Sequence, residues 1–390
     1  MAEIARGLRN VVLTETRLSM IDGEVGKLII AGFPLEELAP HATFEEVLYL
    51  LWHDRLPNAD ELTTFTQQLS ANRSLPETTL TVLQVAAQNK LPLMDALRMG
   101  VDTLSLVDPE PEATSIEANL RRASRLLAHF PTIVASYWRL LHGQEPVTPR
   151  SDLSHAANFL YMVNGQVPEP AITRGMETYL NTVVDHGMNA STFTARVIAS
   201  TRSDMTSAIV GAIGSLKGPL HGGAPGPAAD MVFEIRERAA RSGRSVAEEA
   251  KDWATAKLQS KERIMGFGHR VYRVRDPRAD VLGGAVRQLF QQTGGLDFYN
   301  DARAVEDAML QALEEYKPGL RIKTNVEFYT ALILHGIGLE PEIFSPVFAI
   351  SRVGGWVAHI LEQYAEDELI RPTTNYNGAY DRKWVPLAER

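Results

Sequence analysis

Leu216-Lys217-Gly218-Pro219-Leu220-His221-Gly222-Gly223-Ala224-Pro225-Gly226-Pro227 is the stretch on which the architecture turns. Before it, Met205 to Ser215 places apolar residues three or four apart, and Pro227 to Ala240 does the same after it, the spacing of helices that bury one face. Glycine and proline cannot carry either helix through, so the chain breaks here and His221 is left in a loop between two helix ends. An imidazole among glycines has little apolar surface to pack against and is well placed to meet a ligand. A C-capping turn with an incidental histidine is the plainer alternative.

The same helical spacing recurs in Phe44 to His53, Glu61 to Leu69, Thr78 to Ala87, Leu93 to Leu106 and Ser115 to Leu141, the last expected to kink or divide at Pro131. It continues in Asp152 to Val163, Glu169 to Val184, Ser191 to Ala199, Val246 to Leu258, Pro277 to Thr293, Ala302 to Tyr316, Val326 to His335 and Pro346 to Glu366. The expected class is all-α, with roughly fifteen helices. Only the first forty residues differ. Val11-Val12-Leu13-Thr14 and Lys27-Leu28-Ile29-Ile30 are short β-type runs with the turn signal Asp22-Gly23 between them, which predicts a small N-terminal hairpin. No solenoid period or low-complexity segment is visible, and the two Gly/Pro-rich stretches, Gly218 to Pro227 and Gly336 to Pro341, are the candidate domain edges.

The chain has 390 residues, 45% hydrophobic and 22% charged, near the averages for a globular protein. That length exceeds what one hydrophobic core usually holds, so two domains are expected. A formal charge of −9 argues against a general nucleic-acid binder, which carries a broadly basic face. There are no cysteines, which excludes disulfides, thiolate metal sites and cysteine nucleophiles. No run of about eighteen apolar residues occurs, and Met1 to Arg9 lacks a secretory hydrophobic region, so the expectation is a cytoplasmic protein with no membrane partner.

Two more histidines have glycine-bearing settings, Asp185-His186-Gly187 and Gly266-Phe267-Gly268-His269. Residues 261 to 278 carry Lys261, Arg263, Arg270, Arg273, Arg275 and Arg278 against Glu262 and Asp276. A cationic loop inside an acidic protein suits small anions, and a solvated basic surface loop has the same composition. Asp276-Pro277-Arg278 opens a helix with Asp as N-cap and Pro at the first position. Arg278 then lies where unpaired N–H groups already favour an anion. His186 also suits a plain helix C-terminus. No His-x-x-x-His or comparable pair supports a metal site, and none is expected. In Asn325-Val326-Glu327-Phe328-Tyr329, an apolar segment carries one carboxylate that burial could turn into a general base, or that merely complements a helix dipole. Arg352 interrupts an apolar helix and must be paired by a carboxylate or by a ligand.

Asp185-His186-Gly187-Met188-Asn189-Ala190-Ser191-Thr192, Gly218-Pro219-Leu220-His221-Gly222-Gly223, Gly266-Phe267-Gly268-His269-Arg270-Val271-Tyr272 and Asp276-Pro277-Arg278, in this order and spacing, resemble the citrate synthase family, from Arg6-Gly7-Leu8 to Pro386-Leu387. The Ser154-His155-Ala156-Ala157-Asn158-Phe159-Leu160-Tyr161 segment also looks like part of the family, in a structural role. The resemblance implies a homodimer with a citrate synthase-like two-domain multihelical fold. Residues 1–222 and 339–390 would form the large domain, with the dimer contacts and the oxaloacetate site. Residues 223–338 would form a small domain closing over it. It further implies an acyltransferase that joins acetyl-CoA to oxaloacetate and hydrolyses the thioester to citrate and coenzyme A. Glu327 would be the base, His221 the donor at the enol oxygen and His269 the group acting on the ketone. His186, Arg278, Arg352 and Arg371, the last from the partner subunit, would bind oxaloacetate. Lys261, Gly266, Phe267, Gly268 and Arg273 would cradle coenzyme A, a co-substrate; no permanently bound cofactor or metal is implied.

Three departures stand out. The family's usual base is aspartate, and the extra methylene of Glu327 moves the carboxylate by about 1 Å. Val183 stands where a further histidine is common, and Gly223-Ala224-Pro225-Gly226 follows His221 instead of Ala-Asn-Glu. These place the chain among the shorter bacterial and archaeal-type members, which mix citrate synthases with 2-methylcitrate synthases using propionyl-CoA. A non-catalytic dimer that binds coenzyme A or oxaloacetate is the alternative from a different class.

Overall fold

The structure, a computed structural model, describes residues 4–8, 11–222, 225–269, 271–316, 318–319 and 322–390; Gly223, Ala224 and Arg270 lie outside the described residues. A three-stranded antiparallel sheet comes first: β1 (Ser19–Asp22), β2 (Lys27–Ile30) and β3 (Phe33–Pro34). The described residues then form α1 (Leu35–Leu38), α2 (Phe44–His53), α3 (Ala59–Ala71), α4 (Glu77–Gln88), α5 (Leu93–Asp102), α6 (Ile116–Leu141), α7 (His155–Asn164) and α8 (Pro170–Val183). They continue with α9 (Ala190–Ala199), α10 (Met205–Leu216), α11 (Pro225–Ser242), α12 (Val246–Gln259), α13 (Pro277–Thr293), α14 (Leu296–Tyr316), α15 (Val326–Gly336) and α16 (Phe344–Glu366). Side-chain caps set many of the starts. Thr43, Asn58 and Ser245 each close a capping box with a glutamate three residues on, and Ser154, Asn189 and Asp204 accept a first-turn amide.

The core is organised around α6 and α16. The latter packs on α2, α6, α8, α9 and α10. Pro341–Glu366 is apolar and long enough to cross a membrane by length and composition although it has no unbroken apolar run of that length, but nearly all of its apolar stretch is buried among other helices. Helices α11 to α15 pack largely on one another and meet the rest through α13 on α8, α1 and β2, α15 on α8 and α11 on α16. The break at Gly218 to Gly222 is a tight loop in which the amide of Gly222 returns to the Leu216 carbonyl at 3.0 Å. A Cβ on Gly222 would lie 2.5 Å from that carbonyl, so the turn excludes any side chain.

Two expectations are corrected. Val11–Thr14 is not a strand: Val12 is 86% exposed, and Ser19–Asp22 pairs with Lys27–Ile30 in the register Ser19↔Ile30 to Asp22↔Lys27. A tight turn selects the residues contiguous with it, and Val11–Thr14 is too far upstream. Asp22 seeds that turn, its carboxylate accepting the amides of Glu24 and Val25 at 3.0 and 3.2 Å. Nor does Pro131 divide its helix. α6 runs through it as one element whose middle, from Leu126 to Tyr137, is buried throughout, so tertiary packing overrides the lost hydrogen bond. The hairpin tip rests on the loop after His269. The Arg273 amide donates to the Gly23 carbonyl at 2.8 Å, and a Cβ on Gly23 would meet the Val271 carbonyl at 2.4 Å.

Candidate active site

His186 sits three residues beyond the end of α8, in a loop fixed from two sides. The buried Asp185 carboxylate accepts from the Ser19 hydroxyl of β1 and lies 3.1 Å from His359 Nε2 of α16. Ser19 Oγ in turn accepts the Gly187 amide at 3.0 Å. The imidazole of His186 is buried, with Nε2 3.1 Å from the Tyr272 hydroxyl and its ring edge-on to His269 at 5.6 Å. Burial first, then Arg278, His269, Arg352 and His221, hold it well below the usual histidine pKa. It is neutral, and those charges are the other candidates gathered around it.

His221 reaches the first turn of α9. Its Nε2 lies 3.3 Å from the Ser191 amide and 2.8 Å from the Ser191 hydroxyl, which also accepts Trp356 Nε1 at 3.0 Å. An amide can only donate, so Nε2 carries the lone pair and Nδ1 the proton. Burial, then Arg352, pull the pKa down to about 4. The side chain is thus a neutral imidazole with Nδ1–H left to donate.

The same logic applied to His269 exposes a frustrated contact. Nδ1 accepts the amides of Val271 and Tyr272 at 3.0 and 3.1 Å, so the proton is on Nε2. That N–H faces Arg278 Nη2, another donor, at 3.3 Å. Two donors converge with no acceptor between them, and a ligand oxygen would satisfy both. Arg278 is 4% exposed and already held by Asp276 through Nε and Nη2 at 3.0 and 2.7 Å. The N-cap aspartate therefore orients the guanidinium as well as the helix. Burial, then Arg278, bring His269 down to about 4.

Glu327 occupies the first turn of α15, its amide donating to the Asn325 side chain at 3.0 Å. Asn325 Nδ2 also donates to the Gly268 carbonyl at 2.8 Å, the Asn325 amide to the Gly266 carbonyl at 3.0 Å and the Gly268 amide to the Lys323 carbonyl at 2.7 Å. The loop before His269 is thereby laced to the segment before Glu327, and Phe267 bridges Thr324. Gly266 and Gly268 hold φ of +86° and +82°, a left-handed conformation that side chains resist. Enclosure pushes Glu327 up to about 7, with Arg278 pulling down, Asp276 pushing up and Arg352 pulling down.

Arg352 is 1% exposed. Its Nε donates to the Val183 carbonyl at 2.7 Å and its guanidinium lies 4.6 Å from the Phe348 ring centre. Among the described residues no carboxylate comes within ion-pair distance of it. Of the two partners the sequence allows, the structural carboxylate is absent and a ligand is left.

Arg371 is not brought to this cluster: it is exposed in the extended segment after α16. Of the coenzyme A candidates, Lys261 is exposed with φ of +58° and Arg273 is exposed and 4.0 Å from Glu24 of the hairpin tip. A cavity of about 490 Å³ lies beside the loop, lined by residues including Lys261, Arg263, Ile264, Phe267 and Ile322. Ser191, Trp356, Tyr272 and Asp276 are the groups that sequence reasoning leaves unassigned as site residues. Only Ser191, within the Asn189-Ala190-Ser191-Thr192 run, carries a signal there, and it reads as a helix cap.

A family model described as "Citrate synthase, C-terminal domain" matches residues 7–373. Citrate synthase of Haloferax volcanii is 40% identical, covering 100% of this chain and 99% of the relative. Citrate synthase 2 of Bacillus subtilis is 41% identical over 99% of each, and a 2-methylcitrate synthase of Mycobacterium tuberculosis is 38% identical over 97% and 92%. The crystal structure of citrate synthase from Pyrobaculum aerophilum superposes with a TM-score of 0.86 at 37% identity, over 99% of this chain and 95% of that one. Thermoplasma acidophilum citrate synthase, in a ternary complex with carboxymethyl coenzyme A and oxaloacetate, gives 0.87 at 29% identity over 100% of both. With three histidines, two buried arginines and a half-buried carboxylate gathered on this scaffold, the chain belongs to the citrate synthase family.

Proposed function

We propose that the protein condenses acetyl-CoA with oxaloacetate and water to give citrate and coenzyme A. The observation that carries this reading is Arg352, a fully buried guanidinium without an ion pair, next to the His269–Arg278 pair of donors. Together they form an anion site whose acceptors must come from a ligand. Oxaloacetate supplies two carboxylates and a ketone oxygen. His186, Arg278 and Arg352 take the carboxylates, and His269 Nε2–H takes the ketone oxygen.

Glu327 removes a proton from the methyl carbon of the thioester, while the neutral Nδ1–H of His221 donates to the thioester oxygen, so an enol or enolate forms without a full charge in the open. Its carbon attacks the ketone carbon, and the alkoxide takes the Nε2 proton of His269, which the imidazole regains from solvent as Glu327 releases the proton it took. Water then cleaves the citryl thioester, releasing coenzyme A. A pKa near neutrality suits Glu327 as a base, because a carboxylate left at its ordinary value would be a weaker acceptor.

We further read residues 223–338 as the small domain, which brings α15 and the loop at 261–269 over the oxaloacetate site and excludes water. Lys261, Gly266, Phe267, Gly268 and Arg273 would hold coenzyme A beside the cavity at Phe267. The solved relative with carboxymethyl coenzyme A and oxaloacetate supports both ligands as substrates. We read the chain as a homodimer in which the partner supplies Arg371, an assignment favoured by its exposure here. The companion reading, 2-methylcitrate formation from propionyl-CoA, is favoured by the relative of that name, whose identity differs from the others by only a few per cent. Thiol release from acetyl-CoA that requires oxaloacetate and disappears in Glu327→Gln is the expected result. Ligand binding without turnover would replace this reading with that of a non-catalytic binder, and a strong kcat/KM preference for propionyl-CoA would replace the product.

A further inference from the structure

The face of α8 turned towards the site carries a group that the mechanism above does not use. Tyr179 is fully buried, and among the described residues its hydroxyl has no hydrogen-bond partner. A buried phenol without a partner has lost its hydration with nothing in return, so the position is unfavourable unless something completes it. Its location is set by packing on two sides. One turn earlier on the same face, Gly175 approaches Ile333 of α15 and Ile337 just past its end, with a Cβ there 3.5 and 3.3 Å from those side chains. On the next turns, the Leu180 carbonyl accepts the Ser351 hydroxyl of α16 at 2.6 Å, and the Val183 carbonyl accepts Arg352 Nε at 2.7 Å. Tyr179 is thus wedged where α8 meets α15 and α16, the helices that carry Glu327 and Arg352. The two charges that act on the phenol are those of Glu327 and Arg352.

We propose that Tyr179 is a positioning residue for the condensation: as the site fills, its hydroxyl donates to the Glu327 carboxylate and aims the longer side chain at the methyl carbon of the thioester. Among the described residues, three groups at this junction have no direct partner, namely the phenol, the carboxylate of Glu327 and the terminal nitrogens of Arg352. An acid, a neutral donor and a cation left apart in an enclosed site are complementary to a bound anion and a reacting carbon between them. A glutamate has one more rotatable bond than an aspartate, so a fixed donor from α8 supplies the restraint that the shorter side chain does not need.

The inference rests on Glu327 being the base, and its test keeps the two apart. The charged and titratable groups that act on Glu327 are Arg278 and Asp276 from α13 and its cap and Arg352 from α16, and Glu327 in turn acts on Tyr179 from α8. Tyr179→Phe deletes only the hydroxyl. Its expected effects are an unchanged or slightly higher Tm, oxaloacetate affinity within about twofold, and kcat for acetyl-CoA lowered about 10- to 100-fold. A lost donor to a carboxylate raises its pKa, and the donation is made in the filled site, so the acidic limb of kcat moves to higher pH. In the double variant with Glu327→Gln, the hydroxyl should have no further effect. If wild type turns over, Glu327→Gln is dead and Tyr179→Phe keeps both its rate and its pH profile, the positioning role is overturned while the base assignment stands. If wild type shows no oxaloacetate-dependent thiol release, the base assignment itself falls.

Discussion

Glu327 is where the residue scale has its sharpest consequences. Its carboxyl is raised from 4.5 to about 7 by enclosure, so the folded protein bears a cost that is absent below the unfolded value, grows between about 4.5 and 7 and is constant above. Replacing it by Gln removes that cost. Thermal melts of Glu327→Gln against wild type should coincide at pH 4 and differ at pH 8, with the variant the more stable; equal melting at pH 8 would contradict the enclosure. The same ionisation governs rate with the opposite sign, because the proposed base must be deprotonated. The kcat/KM profile for acetyl-CoA should therefore rise with pH through about 7. Imidazoles brought to about 4 at His221 and His269 add no step between pH 5 and 8. At this scale the sequence is a good guide to which side chains have chemistry and a poor guide to how they are held. Arg352 reads as a charge in need of a partner, but only the fold shows that among the described residues no carboxylate reaches ion-pair distance. Asp276 reads as a helix cap and turns out also to grip Arg278. Tyr179 reads as nothing at all, because an aromatic in an apolar run has the same pattern whether or not its hydroxyl is satisfied.

Among the elements, the lacing between the loop at 266–268 and the start of α15 fixes two proposed catalytic groups to one another. Asn325 is central, capping α15 with one side-chain atom and holding Gly268 with the other. Asn325→Ala should cost about 1 kcal/mol of stability from the cap and lower kcat by considerably more than that loss implies, because Glu327 and His269 are released together. A melt and a steady-state assay on one preparation check both. A second device holds the far end of this segment. Glu306 of α14, fully buried, accepts from Arg275, Thr324 and Tyr329 at 2.5, 2.5 and 2.6 Å and from Arg303 at 2.6 Å. Despite burial, which pushes its pKa up, Thr324, Tyr329 and Arg275 hold it below the ordinary value. Glu306→Ala leaves those donors without their acceptor and should destabilise by about 3–5 kcal/mol in denaturant titration. Helix positions are legible in the chain because the apolar spacing is set by burial of one face, as Pro277–Thr293 shows. Where burial is complete, as along α6, that signal loses its meaning, and Pro131 passes unnoticed through a helix it should break.

For the whole molecule, the proposed partnership through Arg371 makes activity depend on assembly. Arg371→Ala should raise KM for oxaloacetate at least tenfold with little change in Tm, and mixing it with a subunit disabled at Glu327 should restore turnover in hybrid dimers. Failure of hybrids to recover activity would place Arg371 in its own subunit's site or outside the chemistry. Neither the arm after Glu366 nor the arm before Ser19 has a pattern that announces a partner, since extended segments bury residues without periodicity.

The contact of the β1–β2 turn with the loop after His269 gives the first thirty residues a say in the chemistry. Gly23 abuts Val271 with no room for a methyl group, and Val271 and Tyr272 supply the two amides that fix the tautomer of His269. A side chain at the hairpin tip is therefore a wedge driven under the imidazole proposed to act on the ketone, nearly 250 residues away along the chain. Anything built onto that tip, whether a tag, a label or an insertion, is for practical purposes an active-site modification.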